Sequence, residues 1–141
     1  MTHSLIEGLA GIPKVRQYVR LEEYKDRTGA VAFNVTGLHH ALVSAILENE
    51  YGIETRAGTI CNHRLVRKWL RITDQEQHEI EEKIRQGNLL ASYGIVRASI
   101  GEYNTKEDVE KLLDGVEKIA FKGPQRHYTP VAREETFKPK N

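Results

Sequence analysis

Apolar residues recur along this chain at two spacings, which predict short strands and amphipathic helices. Val31, Phe33 and Val35 stand at every second position, as is typical of a half-buried strand over Ala30 to Val35. Three further segments are predicted as strands: Lys14 to Leu21, Ile53 to Thr55 and Tyr93 to Ile100. Loops are expected over Glu22 to Gly29 and over Ala57 to Ile60, where charged residues or glycines interrupt the pattern.

Helical spacing predicts four or five helices around these strands. Leu38, Leu42 and Ile46 form one apolar stripe, and Gly52 stands where a glycine commonly ends a helix. Capping sequences at Thr73 and Thr105 predict two further helix starts. The predicted helices cover Ser4 to Ala10, Leu38 to Glu50, His63 to Leu70, Thr73 to Gln86 and the segment from Thr105 to Ala120.

About four short strands and four or five helices in mixed order predict an α+β fold. We expect a small mixed or antiparallel sheet with helices mainly on one face. The length of 141 residues corresponds to one domain, which we place at residues 1–121. Residues 122–141 are rich in proline and charge and lack periodicity, so they are predicted to form an irregular tail.

Composition narrows the functional classes. The formal net charge of +1 gives no general attraction to nucleic acid or to an anionic membrane, and a solvated tail explains the basic residues near the C-terminus. A single cysteine cannot form an internal disulfide, which favours the cytoplasm. The first residues lack the basic and apolar regions of a signal peptide, and no apolar run approaches membrane-spanning length.

Two arginines and the cysteine point to chemistry. Arg56 and Arg97 each follow a short β-branched segment, so the pattern places them where a strand ends, at the edge of the sheet. A guanidinium offers a planar fork that binds carboxylate or phosphate. Cys61 lies between them on a predicted loop, with His63 and Arg64 nearby, where positive charge favours a nucleophilic thiolate. We expect a site for an anionic substrate; the alternatives are surface ion pairs and a small buried hydrophobe.

Other kinds of site have little support. His39, His40, His63 and Cys61 do not have the spacing of a compact metal site, so we expect no metal. Neither a phosphate-binding glycine loop nor a serine-hydrolase motif is present.

Several short motifs follow one another in a specific order. They are Leu5-Ile-Glu-Gly-Leu-Ala-Gly-Ile-Pro13, Val31-Ala-Phe33-Asn34, Gly37-Leu-His39-His40, Tyr51-Gly-Ile leading to Arg56-Ala-Gly58-Thr-Ile-Cys61, and Val96-Arg97-Ala-Ser99-Ile-Gly-Glu-Tyr103-Asn104-Thr105 before an amphipathic helix. This order resembles the C-terminal small domain of class V pyridoxal-phosphate-dependent enzymes, the group of cysteine desulfurases, selenocysteine lyases and related aminotransferases. The resemblance extends from about Leu5 to Ala120.

The resemblance implies a role for each candidate residue. Arg97 falls where such enzymes bind the carboxylate of an amino-acid substrate. Arg56 falls on an arginine that makes a second anion or substrate contact. Cys61 falls on the loop cysteine that, in desulfurases, attacks the substrate sulfur and carries it as a persulfide. A class V enzyme with another substrate is also compatible with these motifs.

The resemblance also implies what this chain does not contain. Pyridoxal 5′-phosphate is held in such enzymes by a large N-terminal domain, which nothing in these residues resembles. We therefore expect a fragment, inactive alone, whose large domain lies in cis or in a partner chain, within a homodimeric full enzyme. The alternative is a stand-alone, non-catalytic module that binds a carboxylate or phosphate ligand in the cleft of the arginines. Neither nucleic acid nor membrane is an expected partner.

Overall fold

The computed structural model describes residues 1–18 and 29–140. Within them the helices are α1 Thr2–Ala10, α2 His40–Tyr51, α3 His63–Leu70, α4 Asp74–Arg85 and α5 Lys106–Lys122. The strands are β1 Val15–Gln17, β2 Ala30–Val35, β3 Arg56–Gly58, β4 Ile95–Ser99, β5 Tyr128–Val131 and β6 Thr136–Pro139. Single 3₁₀ turns occur at Leu89–Ala91 and Ala132–Glu134.

The first four strands form an antiparallel sheet in the order β1-β2-β4-β3. Since alternate residues of a strand point to opposite faces, the register divides the side chains into two sets. Phe33 and Val96 are partners on one face, whereas Ala32 and Arg97 are partners on the other. The second face also carries Arg56, which is the partner of Arg97 across β3 and β4.

The main core lies on the face that carries Phe33. Helices α1, α2 and α5 cover it, and their apolar stripes meet the sheet residues in one buried cluster. Phe33, Leu5 and Leu47 are fully buried in this cluster. The predicted α+β class, with a small antiparallel sheet and helices mainly on one face, is confirmed.

The opposite face is covered mainly by α3. Val66 of this helix packs on Ala32 and Ile95, and Trp69 lies at the margin of this smaller cluster. Helix α4 buries none of its residues, because few of its positions are apolar. Its start is fixed by a capping box, in which Thr73 accepts from the Glu76 amide and Glu76 accepts from the Thr73 amide.

Two strand predictions need correction. β3 begins at Arg56, where the sequence predicted the strand to end, and Ile53 to Thr55 is irregular. β4 is shorter than predicted, and Arg97 is its central residue. The predicted strand from Lys14 to Leu21 is observed over Val15–Gln17, and its last three residues lie outside the described part. The predicted loop over Glu22 to Gly29 also lies outside it, except for Gly29.

The C-terminal residues form a hairpin, not the irregular tail that the sequence predicted. β5 and β6 pair with each other, and the hairpin is fixed to α2 by Glu50, which accepts from the backbone N–H groups of Gln125 and Arg126 and from the Tyr128 hydroxyl. Phe137 of β6 packs on the His39 ring, with 5.6 Å between centroids. These long-range contacts supply the order that local periodicity does not.

Candidate functional site

The site begins with two arginines that face each other across neighbouring strands. Arg56 opens β3, Arg97 is central in β4, and the two are direct partners in the antiparallel register. Like charges at such a position repel each other. Among residues 1–18 and 29–140, neither guanidinium forms an ion pair with a carboxylate. An anion between the two forks would remove this repulsion.

Arg97 also carries a polar atom without a partner. Its Nε is buried, and no hydrogen-bond acceptor for it is present in the described part of the chain. A buried donor without an acceptor is costly, and in native proteins it commonly marks a position where a water or ligand binds. The Arg97 Nε is therefore a donor that either a water molecule or a ligand could satisfy.

Asn34 adds polar character to the same face. It belongs to β2, and its Nδ2 donates to the Tyr18 hydroxyl at 2.9 Å and to the Gly94 carbonyl at 3.0 Å. Its Oδ1 is buried, and no donor to it is present in the described residues. Burial raises the pKa of Tyr18, against the opposing effects of the Asn34 hydrogen bond and the Arg16 charge. Sequence reasoning did not identify Asn34 as part of the site. Its alternation with Phe33 and Val35 could have placed it on the face opposite the main core.

Cys61 lies on the loop that joins β3 to α3. Ile60 packs on the cluster of Ala32, Val66 and Ile95, and so anchors this loop on the face of the arginines. Ile60 and Cys61 have left-handed backbone conformations, with φ of 50° and 60°, and the Cys61 side chain is exposed. A left-handed pair of non-glycine residues turns the chain sharply before α3 begins. The thiol is therefore accessible on the loop that follows β3.

The two neighbouring histidines, His39 and His40, have structural roles. His39 is the N-cap of α2, where its Nδ1 accepts from the Ala41 amide, and its Nε2 lies 2.9 Å from the Leu90 carbonyl. His40 is only 6% exposed. Burial, and secondly the charge of His39, lowers the pKa of His40 to about 3. His40 is thus neutral at physiological pH and serves as a packing residue.

Gly58 and Gly94 lie in close backbone contact with each other, which leaves no room for a side chain on Gly94. A Cβ on Gly94 would lie 2.6 Å from the Gly58 Cα and 2.7 Å from the His40 Nε2. The Glu135 carboxylate of the C-terminal hairpin lies 4.0 Å from the same His40 Nε2 and accepts a hydrogen bond from the Ser92 hydroxyl. The end of β3, from which the Cys61 loop starts, is therefore packed against Gly94, close to His40 and the hairpin.

The structure thus brings Arg56 and Arg97 together as partners and places Cys61 on a loop anchored to the same face. No hydrogen bond joins the Cys61 thiol to either guanidinium within the described ranges. The predicted position at a strand end is wrong for Arg97, which is central in β4. Arg56 does stand at the end of a strand at the sheet edge, but it begins β3 instead of following it. The common face of the two arginines was not predicted, since it depends on the register between β3 and β4.

Comparison with known proteins bears on this arrangement. The family model described as aminotransferase class-V matches residues 1–112. The chain belongs to the class V aminotransferase family. Full-length members of this family use pyridoxal phosphate, and the expectation from the sequence motifs is thereby confirmed at the level of the family.

Individual relatives agree with this assignment. The chain is 31% identical to a probable cysteine desulfurase of Synechocystis over 117 residues, which are 83% of this chain. It is 32% identical to a cysteine desulfurase of Escherichia coli O127:H6 over 123 residues, which are 84% of this chain. An apo structure of a cysteine desulfurase from Thermococcus onnurineus superimposes with a TM-score of 0.61 at 31% identity, over 84% of this chain and 24% of that one. The chain spans 23% of the length of these two curated relatives.

A lysine that forms an imine with pyridoxal phosphate is enclosed by the cofactor pocket. Every lysine in the described ranges is exposed except Lys118, which is half-buried and paired with Asp114 at 2.6 Å. None of the described lysines therefore has the enclosed position that an imine with pyridoxal phosphate requires. In the same ranges no cluster of three metal-ligating side chains is found, and no helix is long and apolar enough to cross a membrane.

Proposed function

We propose that this chain is the C-terminal small domain of a pyridoxal-phosphate-dependent enzyme of the cysteine desulfurase type, in which Arg97 and Arg56 bind the carboxylate of the amino-acid substrate. The observation that carries the proposal is the direct cross-strand pairing of the two arginines, with the Nε of Arg97 buried and without an acceptor in the described residues. A carboxylate accepts from both guanidinium forks and neutralises their repulsion.

In this proposal the Cys61 thiolate attacks the sulfur of a cysteine substrate. The new S–S bond forms as the substrate C–S bond breaks, its electron pair stays with the substrate carbon, and Cys61 then carries the sulfur as a persulfide. Its exposure supports access, and the Ile60 anchor supports a thiol on the same side of the sheet as the bound carboxylate. The cytoplasm, where thiols stay reduced, is the compartment that suits this role. The cofactor belongs to a large N-terminal domain in cis or in a partner chain, within a homodimeric enzyme.

The carboxylate site can be tested on this chain alone. Titration with acetate, followed by NMR of the arginine Nε–H groups, should shift the signals of Arg97 and Arg56 together. Acetamide, a neutral molecule of the same shape, should leave them unchanged, and an Arg97→Gln variant should abolish the Arg56 shift. Equal shifts at exposed arginines elsewhere, such as Arg126, would contradict a specific site.

The cofactor assignment has a separate test. Mixing the chain with pyridoxal phosphate should give no specific imine absorption band. A band that disappears on substitution of one particular lysine would show that this chain holds the cofactor itself, and the proposed division between two domains would be wrong.

A stand-alone, non-catalytic module that binds a carboxylate or phosphate ligand is the second candidate. It is favoured by the fact that the arginine pair is complete within this chain and needs no residue from another domain. The coding sequence upstream of Met1 and a search for a bound partner chain discriminate between the two. A continuous frame that encodes a lysine-bearing α/β domain, or a co-purifying chain that contains one, supports the enzyme. The absence of both supports the module.

A further inference from the structure

Helix α3 carries a basic concave surface, and of its residues only Arg64 was considered above, as a positive charge near Cys61. A concavity of about 500 Å³ is lined by four cations of this helix and its C-cap, namely Arg64, Arg67, Lys68 and Arg71. Positions i, i+3, i+4 and i+7 share one side of a helix, so the four charges converge. One carboxylate, that of Asp74, lines the concavity and pairs with Arg67 at 2.5 Å. In the described residues, the other three cations have no ion-pair partner.

Helix stability explains only part of this arrangement. Arg67, Lys68 and Arg71 stand near the C-terminus of α3, where cations interact favourably with the helix dipole. Arg64 stands in the first turn, where a cation is unfavourable, and α3 has no acidic residue in that turn to offset it. Arg64 also repels Lys68, which lies four residues further on. Helix stability therefore does not explain Arg64, and a role near Cys61 would not explain why Arg64 lines the same concavity as the three cations that follow it.

We propose that this basic concavity, formed by Arg64, Arg67, Lys68 and Arg71, is a binding site for a short polyphosphate ligand. The stripe extends over the eight residues from Arg64 to Arg71, or about 10 Å of helix axis, which is longer than a single phosphate group. Guanidinium forks bind phosphate oxygens in bidentate fashion. A ligand with several phosphate groups in a row matches both the length and the charge of the stripe.

The surroundings favour a short ligand over a nucleic acid. Helix α4 follows directly after the concavity and exposes Glu76, Glu79 and Glu82. A long polyanion that continued past α3 would meet these carboxylates and be repelled. The formal net charge of +1 gives no general attraction that would compensate for this repulsion.

The test uses the tryptophan of α3 as a reporter. Trp69 is the only tryptophan of the chain and stacks on the Tyr18 ring at 5.6 Å, so its fluorescence should respond to a ligand on this helix. Titration with sodium tripolyphosphate should give a saturable change, with an affinity at least tenfold higher than that for orthophosphate. The affinity should fall steeply as salt is raised.

Arg64→Glu is the decisive variant. It should weaken tripolyphosphate binding at least fivefold, while the midpoint of thermal unfolding stays the same or rises because a carboxylate suits the first turn of a helix. Lys106→Glu is the matched control, since Lys106 is exposed in the first turn of α5 and undergoes the same change of charge. The affinity of this control should stay within twofold of the original.

Three results would overturn the proposal. One is an Arg64→Glu chain that binds tripolyphosphate as tightly as the unchanged chain. Another is tighter binding of a single-stranded oligonucleotide than of tripolyphosphate. The third is loss of binding in Arg97→Gln, which would place the ligand on the arginine pair of the sheet.

Discussion

Replacement of Arg56 by glutamine and then by glutamate should stabilise the chain in two steps, although each change removes a candidate ligand-binding group. Glutamine removes the repulsion between Arg56 and Arg97 across β3 and β4. Glutamate converts it into an attraction, and its carboxylate offers an acceptor to the buried Nε of Arg97.

The expected change in the free energy of unfolding follows from the position of Arg56 and Arg97 in the sheet. Cross-strand charge pairs contribute roughly 0.2–1 kcal/mol, and like charges destabilise by similar amounts. Arg56 is exposed, so solvent reduces the gain, and we expect about 0.3 kcal/mol for glutamine and about 0.5–1 kcal/mol for glutamate. For a chain of this length, the larger value corresponds to a rise of about 2–4 °C in the midpoint of thermal unfolding.

Urea unfolding at low and at high salt measures this effect. The stabilisation by glutamate should shrink at high ionic strength, because screening weakens both the original repulsion and the new attraction. Arg133→Glu, at an exposed position in the 3₁₀ turn before β6, should change the free energy of unfolding by less than about 0.5 kcal/mol. Stepwise destabilisation in the Arg56 series, or a gain independent of salt, would show that the two guanidinium groups do not repel each other.

Two further predictions concern the support of the site. Gly94→Ala should lower the free energy of unfolding, measured in urea, by about 2–3 kcal/mol, because the new Cβ would collide with the Gly58 backbone and the His40 ring. Gly37→Ala is the control: Gly37 has a φ of 85° and no atom within 4 Å of an added Cβ, so this change should lower the free energy of unfolding by only about 1 kcal/mol. His40, whose pKa burial lowers to about 3, takes up a proton near pH 6.5 only when the chain unfolds. The unfolded state therefore binds more protons, and stability should fall by up to about 1.4 kcal/mol per pH unit as pH drops below about 6.5 toward 3; His40→Gln should remove this slope between pH 6 and 5. An unchanged slope would show that His40 is accessible to protons in the folded chain.

Local signals in the sequence were sufficient for most of the helices and for one strand. The prediction for β2 agrees residue for residue with the structure, because its alternation reflects one buried face. The start of α5 was also predicted, since the capping pair of Thr105 and Asp108 lies within the first turn. Such features depend on residues a few positions apart, which a sequence displays directly.

Features that depend on distant partners were not predicted. β3 is defined by its pairing with β4, and so it starts at Arg56 and includes Gly58, although the β-branched residues precede it. The C-terminal hairpin is ordered by Glu50, which lies more than seventy positions earlier in the chain. The sequence indicated which residues could carry chemistry, but only the register places Arg56 opposite Arg97.

The joint action of the arginines and Cys61 can be measured most directly with two reagents that differ in charge. Iodoacetate and iodoacetamide both alkylate the single cysteine of the chain, but only iodoacetate carries a carboxylate. If Arg56 and Arg97 collect carboxylates beside Cys61, the rate ratio of iodoacetate to iodoacetamide should exceed that of a cysteine in the urea-unfolded chain and should fall several-fold in Arg97→Gln. A ratio equal to that of the unfolded chain, and unchanged by Arg97→Gln, would contradict a shared site.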